Sequence, residues 1–259
     1  MILVDSHSHI YVAEFDHDRE LVLNRSAEMG IKYHILPNVD SKTTDSLFKT
    51  VYQYPNTCFP LMGLHPTSVK TDFEKELEHV EDILSRNHVS GIGEIGIDLY
   101  WDKTFLAQQQ IAFRHQLKLA KKFKLPVVIH SRNSFEEIFQ IVDQENDSNL
   151  RGVFHSFTGS SEHYRHIISY GGFMLGIGGV VTYKNGGVDK LIPQMDISHI
   201  LLETDSPWLS PTPKRGQRNE SQNLIYTAQR VAELTGLTLE DVASHTTRNA
   251  ESLFNFKAE

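Results

Sequence analysis

Apolar positions along the chain follow two alternating rhythms. Short apolar runs of strand length recur eight times: ILVDSHSH, IKYHILPNV, TCFPLMGLHP, VSGIGEIGID, LPVVIHSR, RGVFHSFTG, GGFMLGIGG and HILLETDSP. Between several of them the apolar residues repeat at three- and four-residue spacing, as in DRELVLNRSAEMG, FEKELEHVEDILSRN and LAQQQIAFRHQLKLAKKFK, which predicts amphipathic helices. Stop signals agree, with Gly30 closing the first helical segment and Pro126 following KKFKL. The tail NLIYTAQRVAELTGLTLEDVASHTTRNAESLF adds further helices. Eight strands alternating with helices over about 250 residues is the count of a (β/α)8 barrel. The predicted fold is therefore α/β, a TIM barrel with extra C-terminal helices, with a doubly wound open sheet as the competing architecture. No low-complexity segment, Pro/Ser-rich linker or change of composition divides the chain, so residues 1–259 read as one domain.

Polar residues gather at the ends of these runs. His7 and His9, two residues apart on a strand, project from one face together with Asp5. At 14 histidines in 259 residues, chance supplies roughly one such pair, so the pair alone is weak. Further strand ends carry His65, then Glu94 with Asp98, His130 with Arg132, His155, and Glu203 with Asp205. One of these in isolation reads as a satisfied core polar group. Six strands with the same habit do not, because a barrel gathers its active site at the carboxyl ends of its strands.

Composition excludes several classes. At 39% hydrophobic and 22% charged the chain has an ordinary globular composition. No cationic segment followed by an apolar run predicts a signal peptide, and no apolar stretch approaches ~18 residues, so neither export nor a membrane partner is expected. The single cysteine, Cys58, forms no internal disulfide and offers no thiolate cluster, which points to a cytoplasmic protein. A formal charge of −8 argues against coating nucleic acid by charge alone. Lys121, Lys122 and Lys124 fall on a predicted outer helix rather than along a track.

Taken in order, DSHSH, GEIGID, VVIHSR, FHSFTG and LLETDSPWL resemble the metal-dependent hydrolases of the amidohydrolase type, and more closely the TatD family of deoxyribonucleases. GLHP at Gly63 to Pro66, GVVTYKN at Gly179 to Asn185 and KRGQRNES at Lys214 to Ser221 extend the resemblance to the C-terminal helices. Two positions depart from the family's pattern: Ser156 stands where cysteine is usual, and Ser221 where proline is usual.

The resemblance implies two divalent metal ions. His7, His9 and Asp205 would hold one, His130 and His155 the other, and Glu94 would bridge them. Such a nitrogen and oxygen donor set suits Mg, Mn or Zn. Asp205 and Glu94 would be the catalytic carboxylates, Asp205 also accepting a proton. His65, Arg132, Glu203, Arg215 and Arg218 stand as substrate-side residues. Of these, Glu203 shares a face with Asp205 and is placed to orient a ligand imidazole or water. Asp98 and Asp5 read as structural acceptors. The implied activity is metal-dependent, 3'-5' exonuclease-like cleavage of DNA at single-stranded or frayed ends, with no obligate protein partner. Hydrolysis of a lactone, amide or ester, including an aminoacyl-tRNA ester, is the alternative, and a silent metal-binding scaffold the third reading.

Two motifs read as decoys. GIGEIG at Gly91 to Gly96 matches a dinucleotide-binding fingerprint, yet no helix signal follows it and no acid stands at the required distance, so its glycines are predicted to be strand residues. HYRH at His163 to His166 sets two imidazoles one helical turn apart, but no acidic partner stands in a zincin arrangement, which predicts a surface helix.

Overall fold

The computed structural model describes residues 1–258. Eight parallel strands run β1 Leu3–Asp5, β2 Ile31–Leu36, β3 Cys58–Pro60, β4 Ile92–Asp98, β5 Val127–Arg132, β6 Gly152–Phe154, β7 Phe173–Ile177 and β8 Ile200–Leu202. Between them lie α1 Arg19–Glu28, α2 Ser41–Gln53, α3 Phe73–Arg86, α4 Leu106–Phe123, α5 Phe135–Glu145 and α6 Ser161–Ser169. Strands β1–β3 form one sheet and β4–β8 another, each in sequential order. Two narrow seams close them into a ring. At the first, Met62 N donates to Gly91 O at 3.1 Å and Gly93 N to Met62 O at 3.2 Å. At the second, Ser6 N donates to Leu202 O at 3.0 Å and Asp205 N to His7 O at 2.9 Å. The predicted TIM barrel is the fold, and no helix among the described residues is long and apolar enough to cross a membrane.

Strand alternation sorts side chains between two cores. Val127 and Ile129 of β5 face the helices, where they join Phe113, Leu117 and Ile138, whereas Val128 faces the barrel interior beside Leu61, Val153 and Leu201. His130 continues the inward series one step above Val128. After β8 the chain forms α7 Leu224–Thr235 and α8 Leu239–Phe254. The end of α8 adds Ala250, Leu253 and Phe254 to the interior layer. Asn249 Nδ2 donates to Ile197 O and Ile200 O, and Thr247 Oγ1 to Ile2 O, all at the amino ends of strands. The last helix thus closes the floor, and the barrel opens at one end only.

The seventh unit departs from the regular alternation. Between β7 and β8 the chain makes four short 3-10 turns, over Gly179–Thr182, Val188–Lys190, Ile192–Gln194 and Ile197–His199, and no α-helix among the described residues. The segment GGVVTYKNGGVDKLIP has no three- and four-residue apolar period, and its glycines and Pro193 disfavour a helix. Helix α7 packs across these turns in its place.

Candidate metal centre

Strand β4 runs unbroken through the sequence GIGEIG, and α4 begins only at Leu106, so the dinucleotide fingerprint is refuted. Ile95 and Ile97 join the outer core, while Glu94 and Asp98 share the inner face four residues apart. Gly96 is required beside them: at φ +139 its backbone pairs with His130, and a Cβ there would stand 2.0 Å from His130 O. With Gly96 opposite His130 in register, the imidazole lies against both inward carboxylates. His130 Nδ1 is 2.8 Å from Glu94 Oε1, and Nε2 is 2.8 Å from Asp98 Oδ2.

Glu94 is the hub. It is 3% exposed, and its two oxygens face different sets of imidazoles. Oε2 lies 3.2 Å from His7 Nε2 and 3.7 Å from His9 Nε2. Oε1 lies 3.3 Å from both His155 Nε2 and His65 Nε2, besides His130. Asp205 Oδ1 completes the first set at 3.6 Å from His7 Nε2 and from His9 Nε2. Asp205 is held at φ 56, a conformation short polar side chains tolerate, by its own N–H to His7 O and by Trp208 N donating to its carbonyl. Asn219, from the KRGQRNES segment, fixes the same loop by donating to Thr204 O at 2.8 Å and Trp208 O at 2.7 Å. All six residues expected to hold metal converge here.

Hydrogen bonds at the far side of three rings, those of His9, His155 and His65, assign their tautomers. Tyr11 donates its hydroxyl to Pro37 O at 2.6 Å, so it accepts from His9 Nδ1 at 3.0 Å and leaves His9 Nε2 a free lone pair. Glu203 Oε1 accepts from His155 Nδ1 at 3.0 Å and from Ser156 N at 2.6 Å, which leaves His155 Nε2 facing Glu94. His65 is the reverse. Its Nδ1 accepts the Thr67 N–H at 3.1 Å, so in the neutral ring the proton sits on Nε2, toward the cavity. That Nε2 lies 3.3 Å from Glu94 Oε1, and His65 groups with Glu94 and His130 as donors able to hold an ion.

Charge around the hub is unbalanced. The cavity above it encloses about 540 Å³, and its lining includes Glu94, Asp98 and Asp205 but a single permanent cation, Arg132, at the rim. Buried carboxylates without a permanent partner are costly. In the metal-free protein, protons supply part of the missing charge. Burial opposes a charged His155, but Glu203 and Glu94 outweigh it and push the imidazole well above its usual range; Asp98 and Glu94 likewise raise His130. Burial pushes the Asp205 carboxyl up to about 6. His7 Nδ1 and Glu203 Oε2 are buried with no hydrogen-bond partner, a further sign that the cluster lacks a charge it is built around. Divalent cations on imidazole nitrogen and carboxylate oxygen fit this donor set, and the absence of sulfur suits hard or borderline ions.

Of the substrate-side residues, His65 and Arg132 line the cavity. Glu203 does not. It is 1% exposed and spends its carboxylate on His155 and Ser156, so it positions a ligand instead of meeting substrate. Arg215 lies exposed on the Tyr183 ring at 3.9 Å. Arg218 is also absent from the cavity wall, because Asp18 takes both of its terminal nitrogens at 3.0 and 2.6 Å and Glu220 takes one at 2.9 Å. Asp5 is a structural acceptor, as expected, tying β1 to Thr204 through N–H and hydroxyl bonds at 2.9 and 2.7 Å. Asp98 does more than the structural part expected of it, since it orients His130. Tyr11 went unrecognised, although a tyrosine two residues beyond His-x-His shares the face of both imidazoles. On HYRH, His163 and His166 stack on Phe135 and Phe139, both at 4.3 Å, on the outside of the barrel.

Residues 4–255 match the model of a protein family described as TatD related DNase. A curated relative from Bacillus subtilis, "Uncharacterized metal-dependent hydrolase YabD", is 34% identical over 254 residues, covering 98% of this chain and 99% of its own length. The "3'-5' ssDNA/RNA exonuclease TatD" of Erwinia amylovora is 30% identical over 247 residues, covering 93% of this chain and 95% of its own. Among solved structures, the TatD homologue YjjV of Escherichia coli superposes with a TM-score of 0.92 at 28% identity, covering 98% of both chains.

Proposed function

The chain belongs to the TatD family of metal-dependent hydrolases, and on that premise we propose that it is a deoxyribonuclease removing nucleotides from free, single-stranded or frayed DNA ends. The observation that carries the reading is the Glu94 carboxylate, each of whose oxygens faces its own set of imidazoles. Two ions would be held by His7, His9 and Asp205 on one side and by His130 and His155 on the other, with Glu94 between. Divalent ions in these positions would supply Lewis-acid charge to a phosphoryl oxygen and lower the pKa of water.

The remaining work falls to the chain itself. Asp205 accepts the proton of the attacking water; its carboxylate lines the cavity, with Oδ1 3.6 Å from both His7 Nε2 and His9 Nε2. His65 donates from Nε2 to a phosphate oxygen. Arg132 offers its guanidinium at the mouth, where a planar donor fork matches a phosphate. Glu203 and Tyr11 hold the His155 and His9 rings so that their Nε2 lone pairs stay turned inward.

End-directed cleavage is supported by shape and charge. The cavity is closed below by the barrel floor and admits a strand end more readily than a continuous duplex. With a formal charge of −8 and no basic track, attraction to a polyanion is local, within about a Debye length, ~8 Å at physiological salt. Release after each cleavage follows from so small a footprint.

The test is a metal-by-substrate matrix on chelated protein. End-labelled linear single strands, a closed circular single strand and a panel of lactones and aminoacyl esters are each assayed with Mg, Mn and Zn. The expected result is metal-restored shortening of linear strands, distributive and well ahead of any cutting of the circle. Equal cutting of the circle overturns end direction, and turnover confined to the carbonyl substrates overturns the deoxyribonuclease reading.

A further inference from the structure

The chain has two tryptophans, and both stand on the lip of the metal-centre cavity. Trp101 follows β4 and Trp208 follows β8, strands that lie on opposite sides of an eight-stranded ring. Their placement repeats. Each indole comes three residues after an inward carboxylate, and each backbone N–H bonds back to that residue: Trp101 N to Asp98 Oδ1 at 3.2 Å, Trp208 N to Asp205 O at 2.9 Å. Ring contacts complete the placement, Trp101 meeting Tyr100 edge-on at 4.9 Å and Trp208 meeting His9 at 5.1 Å. The two indoles are nevertheless 69% and 48% exposed, a large apolar area left in water. At the same rim, the Arg132 guanidinium lies over the Tyr100 ring at 3.8 Å and 5.4 Å from the Trp101 ring.

We propose that Trp101 and Trp208 form a nucleobase subsite, on which the base of the terminal nucleotide stacks while its phosphate lies below beside His65 and is met from the rim by Arg132. The inference rests on the deoxyribonuclease reading and adds to it how a strand end is gripped without a basic track. A nucleotide is the ligand that matches this layering, with an anionic group for the polar floor and a flat π-face for the aromatic lip. Since every base has a π-face, the grip tolerates any sequence.

The experiment compares two linear oligonucleotides that differ only at the cleaved end, one carrying thymidine and the other a tetrahydrofuran abasic analogue. Stacking is lost by about 5- to 150-fold per base on alanine substitution. The metal-loaded protein should therefore prefer the thymidine end by at least about 5-fold in kcat/KM, mainly through KM. Trp101→Ala and Trp208→Ala should each bring that ratio toward one, and Trp101→Phe and Trp208→Phe should restore it. In parallel, tryptophan emission, which here reports only the lip, is titrated with thymidine 5′-monophosphate and with 2-deoxyribose 5-phosphate. The nucleotide should quench and the sugar phosphate should not. Equal rates on both ends, or equal quenching by both ligands, overturns the subsite while leaving phosphodiester cleavage standing. Cleavage of neither oligonucleotide with any metal overturns the nuclease reading, and the titration then decides the subsite alone.

Discussion

Two clusters of charged side chains in this molecule settle their charge in opposite ways. At the outer edge, Asp18 and Glu220 meet Arg25 and Arg218. Arg218 forks onto Asp18, Arg25 bonds Glu220 at 2.8 Å, and the Arg218 guanidinium lies over the Phe15 ring at 4.6 Å. Two acids face two bases, and the set ties the start of α1 to the loop after β8. In the barrel mouth, Glu94, Asp98, Glu203 and Asp205 face five imidazoles and no permanent cation within the ring. Arginine at the edge carries its charge at any ordinary pH, whereas imidazole gives up its proton to bind something else. The first cluster is complete by itself, and the second is complete only with a ligand.

The largest way to break this contrast is to remove the hub. Glu94→Gln keeps the shape but takes away the charge shared by both halves, and turnover should fall by at least ~100-fold with native circular dichroism. Asp205→Asn should lose more activity than metal, as measured by elemental analysis beside kinetics, because an amide can still ligate but cannot take a proton. Parallel losses would leave Asp205 a ligand only.

A second, smaller effect reaches the mouth indirectly. A Cβ on Gly176 would stand 2.1 Å from Glu203 Oε2, so Gly176→Ala must displace the carboxylate that orients His155. Outer partners of this kind are worth about 10–100-fold in affinity or activity. The variant should bind metal about tenfold more weakly in a competitive chelator titration; unchanged affinity would mean that His155 needs no orienting.

The protons on His130 and His155 give the third measurement. Both imidazoles are raised above the ordinary value of 6.5, so their protons persist until the pH climbs through those raised values, and metal must displace them. Affinity should therefore increase with pH from about 6.5 upward, by up to about tenfold per unit for each proton displaced. Calorimetry in buffers of different ionisation enthalpy counts the protons released.

The smallest effect belongs to the edge cluster. Arg218→Ala should lower stability by about 1 kcal/mol, given its partial exposure, or ~2–4 °C in Tm, with metal content unaltered. The Arg218 hydrogen bond holds Asp18 below the usual carboxylate range; Glu220 is raised by burial but lowered more by Arg218 and Arg25. Both folded values are depressed. Their stabilisation is full above the unfolded values of 3.8 and 4.5 and is lost as pH falls through the folded ones. In the variant, the acid limb of the Tm profile should flatten below about pH 4.

The same contrast explains what could be read before the fold was seen. The proposed metal ligands were legible because they sit at the ends of five apolar runs, His7 and His9 sharing the first, a local pattern, and the barrel alone brings those ends together. Arg218 was not, because its partner Asp18 lies 200 residues away and nothing local distinguishes a paired arginine from a free one. Glu203 was assigned to the correct face but its bond to His155 crosses 48 residues of sequence. The missing helix of the seventh unit was partly visible, as a stretch without period. Trp208 stands inside LLETDSPWL and Trp101 three residues beyond the end of GEIGID, yet their common spacing from Asp98 and Asp205 acquires meaning only once β4 and β8 lie across a ring.

The seams of the barrel carry a last consequence. His7 and His9 follow β1 of the three-stranded sheet, whereas Glu94 and His130 lie in β4 and β5 of the five-stranded sheet and His155 and Asp205 follow its β6 and β8. An ion shared between them would act as a clasp across the joint, slowing the local openings that expose seam amides to deuterium. Ser6, Met62, Gly93 and Asp205 would then exchange far faster in chelated protein than amides in mid-sheet, and loading the ion would even the two out. The centre that is read as chemistry is also a fastener, and its occupancy can be followed with no substrate at all.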